Sequence, residues 1–211
     1  MSVKVIPAVI AEDKRKAYQL RYKMMCQDLK WLSEMDYQVE EETDEYDKNQ
    51  SIDFIAVDNS GDCIGTCRVI LSGIVPLPII KYFKISSREK LEKDYGSLQY
   101  CVEASRFIVP KNNFFNRHEI TLALSREMIN LGFHIGVTHV FLSLDYRFFR
   151  LLKILGFPIN EIGETKLYMG SKTTPGVLAL NNLLPELKVN KPSLYDYLAA
   201  EGDMVREKTL V

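Results

Sequence analysis

The stretch YCVEASRFIVP, residues 100–110, combines two signals that do not usually go together. Its β-branched and aromatic residues predict an interior strand. Yet Glu103, Ser105 and Arg106 sit in the middle of it. Downstream, NRHEITLALSREMINLGFHIG (116–136) has the apolar period of an amphipathic helix closed by a glycine. VTHVFLSLDY (137–146) is again strand-like. The strand–helix–strand run over 98–145 predicts a right-handed parallel crossover.

Upstream, SIDFIAVDNSGDCIGTCRVILSG (51–73) has two apolar runs around DNSGD, the pattern of a β-hairpin. EDKRKAYQLRYKMMCQDLKWL (12–32) has helical period, with Tyr18, Tyr22, Met25, Leu29 and Leu32 on one stripe and Arg21 beside it. The acidic stretch 33–47 that follows is too polar for a strand and too long for a simple connector, which predicts a structured loop. VPLPIIKYF (75–83) reads as a proline-punctuated strand end or loop. Beyond the crossover, RFFRLLKILGF (147–157) predicts a helix with a glycine stop, KLYMG (166–170) a short strand and PSLYDYLAAEG (192–202) a last short helix. This order predicts an α/β arrangement around one mixed sheet, in a single domain over 1–211.

Composition narrows the class. With 46% hydrophobic residues in 211, the chain can fill a sizeable core. Twenty-seven basic against twenty-eight acidic residues leave a net charge of −1, which argues against a nucleic-acid binder. The N-terminal residues lack the pattern of a signal peptide, and no run reaches the roughly 18 apolar residues of a membrane span. A cytoplasmic protein is expected. Cys26, Cys63, Cys67 and Cys101 form no C-x-x-C pair, and His118, His134 and His139 complete no zinc pattern, so reduced thiols and no metal are expected.

Charges inside apolar elements are the functional signal. Arg21, Arg68, Glu103 and Arg106, with Asp44 and Asp47 from the acidic loop, make three positive and three negative groups. Burying a lone charge costs several kcal/mol, so such groups are paired or functional. A set balanced in this way suits a network lining one cleft. The alternative is a solvent-facing sheet surface and a hydrated acidic loop. In a regular strand Glu103 and Arg106 point to opposite faces, so service in one site needs a bulge between them.

The ordered set resembles the bacterial autoinducer (acyl-homoserine-lactone) synthases. It comprises Arg21, Trp31, ETDEYD with Asp44 and Asp47, Arg68 in GTCRVI, Phe83, and Glu103-Ala-Ser-Arg106-Phe. RYKMMCQDLKWLSEMDY (21–37) and LLKILGFPINEIGETKLYMGSKTTP (151–175) are also similar to the long-chain N-acyl amino acid synthases and exosortase-associated acyltransferases. The resemblance, over about residues 15 to 170, implies an N-acyltransferase of the acetyltransferase-like (GNAT) fold. That fold has helices on both faces of a mixed sheet splayed between two parallel strands, where an acyl-pantetheine thioester lies. It implies polar site positions at Arg21, Asp44, Asp47, Arg68, Glu103 and Arg106, and aromatic ones at Trp31 and Phe83.

Aminolysis of a thioester needs a base and donors for the developing oxyanion. Glu103 is the candidate base, with Ser105 and Arg106 beside it. Asp44 and Asp47 are candidates for the acceptor's positive charge, Arg68 and Arg106 for an acceptor carboxylate or for locking the acidic loop, and Trp31 and Phe83 for the pocket wall. Cys101, two residues before Glu103, is the rival nucleophile, but no histidine spacing activates it. The turn VPKNNFFNRHEI (109–120) has no glycine to cradle a coenzyme A pyrophosphate, which favours the phosphopantetheine arm of an acyl carrier protein. Arg147, Arg150 and Lys153 fall on one helix face and, with Arg117 and Arg126, form a candidate docking patch. Leu122, Met128, Phe141 and Leu144 are candidates for the acyl-chain pocket.

Autoinducer synthases carry an aromatic residue where this chain has Met25, which favours a plain amino acid acceptor over S-adenosylmethionine. The expected product is an N-acyl amino acid, with an N-acyl-homoserine lactone as the alternative. A coenzyme A-dependent acetyltransferase and a non-catalytic acyl-carrier or lipid binder are the competing classes.

Overall fold

The structure, a computed structural model, describes residues 3–83, 85, 88–111 and 117–200. The chain divides into two compact units. Of the described residues, one holds 3–68, 106–111, 117–131 and 200, the other 69–83, 85, 88–105 and 132–199.

In the first unit, β1 (Lys4–Pro7) pairs antiparallel with β2 (Ser51–Val57), Val5 opposite Ala56. The hairpin expected over 51–73 is formed by β2 and β3 (Cys63–Leu71). Its turn closes locally: Asp58 Oδ1 accepts from the N–H groups of Ser60 (2.9 Å) and Asp62 (3.0 Å), and Gly61 supplies φ +83°. Helix α1 (Ala11–Tyr22) lays Ala17 against Ala8 and Ile55 in a small core cluster. The helix expected to reach residue 32 is α-helical only to Tyr22. It continues as a π-helical turn, Lys23–Asp28, which buries Met25 and Cys26 but leaves Leu29 exposed, off the expected stripe. In β3, Arg68 and Gly65 point to opposite faces. A Cβ on Gly65 would lie 2.7 Å from Ile120 Cγ2 and 3.3 Å from Leu124 Cδ1, so α4 (Arg117–His134) packs directly on that backbone.

In the second unit, β4 (Cys101–Ile108) runs parallel to β5 (His139–Asp145), as the crossover predicts. Their register joins Cys101 to His139 and ends at Ala104 with Leu142. Beyond β5 lies β8 (Ser171–Ala179), antiparallel to it, and β8 also pairs with β6 (Asn160–Glu161) and β7 (Lys166–Tyr168). β3 and β4 are neighbours in the strand order, and each has residues in both units, as does α4.

Helix α5 (Tyr146–Leu155) is capped by Asp145, which accepts from Arg147 N (3.0 Å), and is stopped by Gly156 at φ +106°. Its Phe149 lies 2.6 Å from where a Cβ on Gly176 would stand, on one face of β8. The adjacent Pro175 faces the other way, towards Gly163 and Ile85. Both faces of this part of the sheet are therefore covered.

VPLPIIKYF is not a loop. Pro78–Phe83 forms α2, because a proline in the first helical turn loses no hydrogen bond and presets φ. The charged segment after it includes α3 (Arg88–Tyr95). α6 (Leu180–Asn190) follows β8 without having been expected, and α7 (Pro192–Leu198) matches the last expected helix.

Candidate active site

Arg21 enters from the end of α1, Arg68 from the middle of β3 and Arg106 from β4. Arg21 and Arg68 are buried, Arg106 keeps 8% of its side chain exposed, and all three meet the acidic loop. Arg21 donates from Nε to Glu42 Oε2 (2.5 Å), from Nη1 and Nη2 to the two oxygens of Asp47 (2.9 and 2.8 Å), and from Nη1 to Asp53 Oδ1 (3.3 Å). Arg68 grips Asp44 bidentately (2.7 and 2.9 Å) and reaches Asp47 Oδ1 (2.9 Å). Arg106 donates from Nη2 to Glu42 Oε1 (2.7 Å) and Asp44 Oδ2 (3.1 Å). Asp47 Oδ2 also accepts from Asp44 N (2.8 Å), and Asp44 Oδ1 from Tyr46 N (2.9 Å). Fork-to-carboxylate geometry of this kind fixes direction as well as distance.

The electrostatics follow from burial set against pairing. Burial alone would raise Glu42, but Arg106 and Arg21 outweigh it and hold the carboxyl at about 2. Asp47 is likewise lowered against its burial, by the Arg21 hydrogen bonds first. Asp53 goes the other way, because burial outweighs the attraction of Arg21. Arg21 and Arg106 are held charged by their carboxylates in spite of burial. The network pins loop 42–47 to helix α1 and strands β3 and β4. Asp44 is its most open carboxylate, with 26% of its side chain exposed.

Arg106 has φ +50°, a left-handed residue inside β4. The regular alternation expected to separate Glu103 from Arg106 is therefore broken between them, with the backbone conformation that bulges use.

Glu103 belongs to the second unit and is fully buried. Its Oε2 accepts from Ile79 N (2.8 Å) in the first turn of α2, and its Oε1 from Ser143 Oγ (2.7 Å) on β5. Its register partner is Phe141, two residues before Ser143 and on the same face. Cys101 shares that face, but burial raises its thiol to about 11, and the Sγ contact goes to Ser97 O (3.9 Å). His139, the register partner of Cys101, is a neighbour that linear spacing hid. Its pKa is lowered by burial, and its ring lies edge-on to Tyr95 at 5.3 Å.

Among the remaining candidates, Ser105 is buried and Trp31 half-buried, with Trp31 N donating to Met25 O (2.8 Å). Phe83 is buried against Tyr168 (5.1 Å), with Lys166 Nζ 4.6 Å above its ring. Lys166 also donates to the Tyr82 carbonyl at the end of α2. Phe141 and Leu144 are core residues of the second unit, and Leu122 and Met128 are half-buried on α4.

Arg147, Arg150 and Lys153 are exposed on α5. Arg150 lies over Tyr146 (5.8 Å), and Lys153 is 4.0 Å from Glu161. Arg126 does not fit an exposed docking patch: only 15% of its side chain is open, and it pairs with buried Glu127 at 3.3 Å. The glycine-free turn has residues 112–116 outside the described residues. Among the described residues no group of three or more His, Cys, Asp or Glu is arranged to hold a metal.

Three contributors were not anticipated. Asp53 carried the same signal as Arg68, a charge inside an apolar strand. Glu42 is one of three consecutive glutamates with nothing local to single it out. Ser143 is a lone hydroxyl in VFLSL whose partner is 40 residues away.

The sequence profile of the autoinducer synthase family matches residues 9–182. An acyl-homoserine-lactone synthase of Agrobacterium fabrum is 29% identical over 128 residues, 59% of this chain and 59% of that protein. The match thus spans less than two thirds of the curated relative's length.

Two solved structures share the fold. A coenzyme A-dependent acyl-homoserine lactone synthase, BjaI, with SAM and isopentyl-CoA, superposes with TM-score 0.69 at 18% identity, over 95% of this chain and 90% of that one. FeeM, an N-acyl amino acid synthase from uncultured soil microbes, gives TM-score 0.64 at 12% identity, over 88% and 96%. With the family profile covering most of its length, this chain belongs to the autoinducer synthase family.

Proposed function

We propose that this chain is an N-acyltransferase that moves a fatty acyl group from a pantetheine thioester to an α-amine, with residues 1–211 working as a single catalytic domain. The observation that carries this reading is Glu103, a buried carboxylate with a hydrogen-bond donor on each oxygen, at the position the family's E-x-S-R-F pattern singles out. The amine nitrogen attacks the thioester carbonyl, Glu103 takes its proton, the C–S bond breaks, and the leaving thiolate takes up that proton to depart as the thiol.

Arg21, Arg68 and Arg106 are assigned to locking loop 42–47, since their forks are already engaged by Glu42, Asp44 and Asp47. In the first unit Asp44 is the carboxylate assigned to the acceptor's cation, with Trp31 as an aromatic wall; in the second, Phe83 is assigned as an aromatic wall and Ser105 as a neighbour of the base. For the acyl chain each unit offers its own candidates, Leu122 and Met128 on α4 in the first and Phe141 in the second; Leu144, three residues on from Phe141, faces the other side of β5.

S-adenosylmethionine is the first acceptor in this reading, giving an N-acyl-homoserine lactone with loss of methylthioadenosine. It is supported by the family and by Met25, which is buried in the π-helical turn and so acts as a packing residue. A plain amino acid is the second reading, favoured by the missing aromatic at that position and by the likeness to FeeM. For the donor, exposed Arg147, Arg150 and Lys153 support an acidic acyl carrier protein. BjaI is described as coenzyme A-dependent, which keeps acyl-coenzyme A as the rival. No described helix is long and apolar enough to cross a membrane, and we assign the enzyme to the cytoplasm.

Expression in a bacterium, solvent extraction of the medium and mass spectrometry for lipid amides test the reading. Lactones or acyl amino acids from the native chain, absent with Glu103→Gln, are expected. Neither product from a folded native protein removes it.

A further inference from the structure

We propose that Ser143 is a positioning residue for the reaction: its hydroxyl holds the Glu103 carboxylate in the orientation from which it takes up the amine proton. This rests on the reading of Glu103 as general base. A glutamate on a strand has three side-chain torsions to fix, and a base must be within hydrogen-bond reach of its proton. Ile79 N holds Oε2 at 2.8 Å and Ser143 Oγ holds Oε1 at 2.7 Å, so the two contacts together set the plane of the carboxylate.

The two donors differ in kind. A backbone N–H only donates. A hydroxyl donates to the carboxylate and, once Glu103 has become a carboxylic acid, can rotate and accept from it. Ser143 can therefore stay bonded to Glu103 on both sides of the proton transfer.

The sequence around it argues that the hydroxyl is placed for this purpose. On the same face of β5, Phe141 and His139 pack edge-on against Tyr95, at 5.6 and 5.3 Å. An apolar residue at 143 would leave Oε1 without this donor. Losing a donor to a buried carboxylate costs more than an ordinary hydrogen bond.

Two kinds of contribution must be separated, since removing the hydroxyl also removes a structural hydrogen bond. The test uses the full chain and the donor and acceptor that the extraction experiment identifies. Ser143→Ala, Ser143→Thr and Glu103→Gln are compared by steady-state kinetics and thermal melting. Ser143→Ala is expected to lower kcat about tenfold to hundredfold with the KM for both substrates within about twofold, and Ser143→Thr to recover kcat to within about threefold of the native enzyme. If Ser143→Ala does not fold, Ser143→Cys, with its weak donor, replaces it and carries the same expectation.

Unchanged kcat, a rise in KM in place of a fall in kcat, or a threonine variant as slow as the alanine overturns the proposal while leaving the base reading intact. Full turnover by Glu103→Gln, or no lipid amide from the native chain, removes the base reading and this proposal with it.

Discussion

Replacing Arg21 with methionine keeps the length of the side chain and removes the guanidinium that three carboxylates share. Glu42, Asp47 and Asp53 each lose a partner at 2.5 to 3.3 Å, in surroundings where Arg21 and Glu42 are 0% exposed. Glu42 alone gives the scale. Its folded value of about 2 against an ordinary 4.5 corresponds to about 3 kcal/mol at roughly 1.4 kcal/mol per unit, shared between Arg106 and Arg21. Adding the two bonds to Asp47 puts the loss at about 4 kcal/mol at pH 7, within the range for breaking a buried pair from one side.

The pH dependence has a definite sign. In the native protein the Glu42 contribution is complete above its unfolded pKa and is lost as the pH falls through about 2. In the variant the folded carboxyls bind protons more readily, so the penalty shrinks on acidification, to about half by pH 4. Urea unfolding of native protein and variant at pH 7 and pH 4 measures both quantities. A difference below about 1 kcal/mol at pH 7, or one that stays constant down to pH 4, refutes the account of this network as a set of mutually dependent buried ions.

Gly176→Ala is expected to cost about 1–3 kcal/mol in urea unfolding, since the new methyl meets Phe149 Cε2 at 2.6 Å and Asn160 O at 3.2 Å. Cys101→Ala should keep turnover within about threefold, because a thiol raised to about 11 supplies almost no thiolate at neutral pH; complete loss in a folded protein would revive a covalent mechanism. Arg150→Glu should raise KM for an acyl carrier protein about tenfold and leave an acyl-coenzyme A thioester unaffected, and equal effects on both donors would count against docking through α5.

The hairpin, the parallel crossover and α5 were legible because periodicity and turn chemistry agree there. DNSGD places an aspartate and a glycine where the turn uses them, and Gly156 ends α5 at a positive φ. β8 was not legible. SKTTPGVLA carries Pro175 and Gly176 in its centre, which locally argue against a strand, and the tertiary approach of Phe149, Ile159 and Asn160 is what requires the glycine.

α2 was misread for a related reason, since a proline marks a helix start as readily as a loop. In the candidate site, five of the six expected charges share one network. Asp53 shows that the rule applied to Arg68 was applied too sparingly. Glu42 and Ser143 depend on partners far along the chain, which no local pattern encodes.

The cluster at the far end of α2 bears on how such an enzyme can change. Lys166 and Tyr168, from the β7 hairpin, grip Tyr82 and Phe83, one turn of helix away from the Ile79 amide that contacts Glu103. A mutation in that hairpin reaches the carboxylate through a lever only six residues long. On the reading of Glu103 as base and Phe83 as a pocket wall, drift in this hairpin would act on both at once, coupling the pace of the reaction to the shape of the acceptor's surroundings.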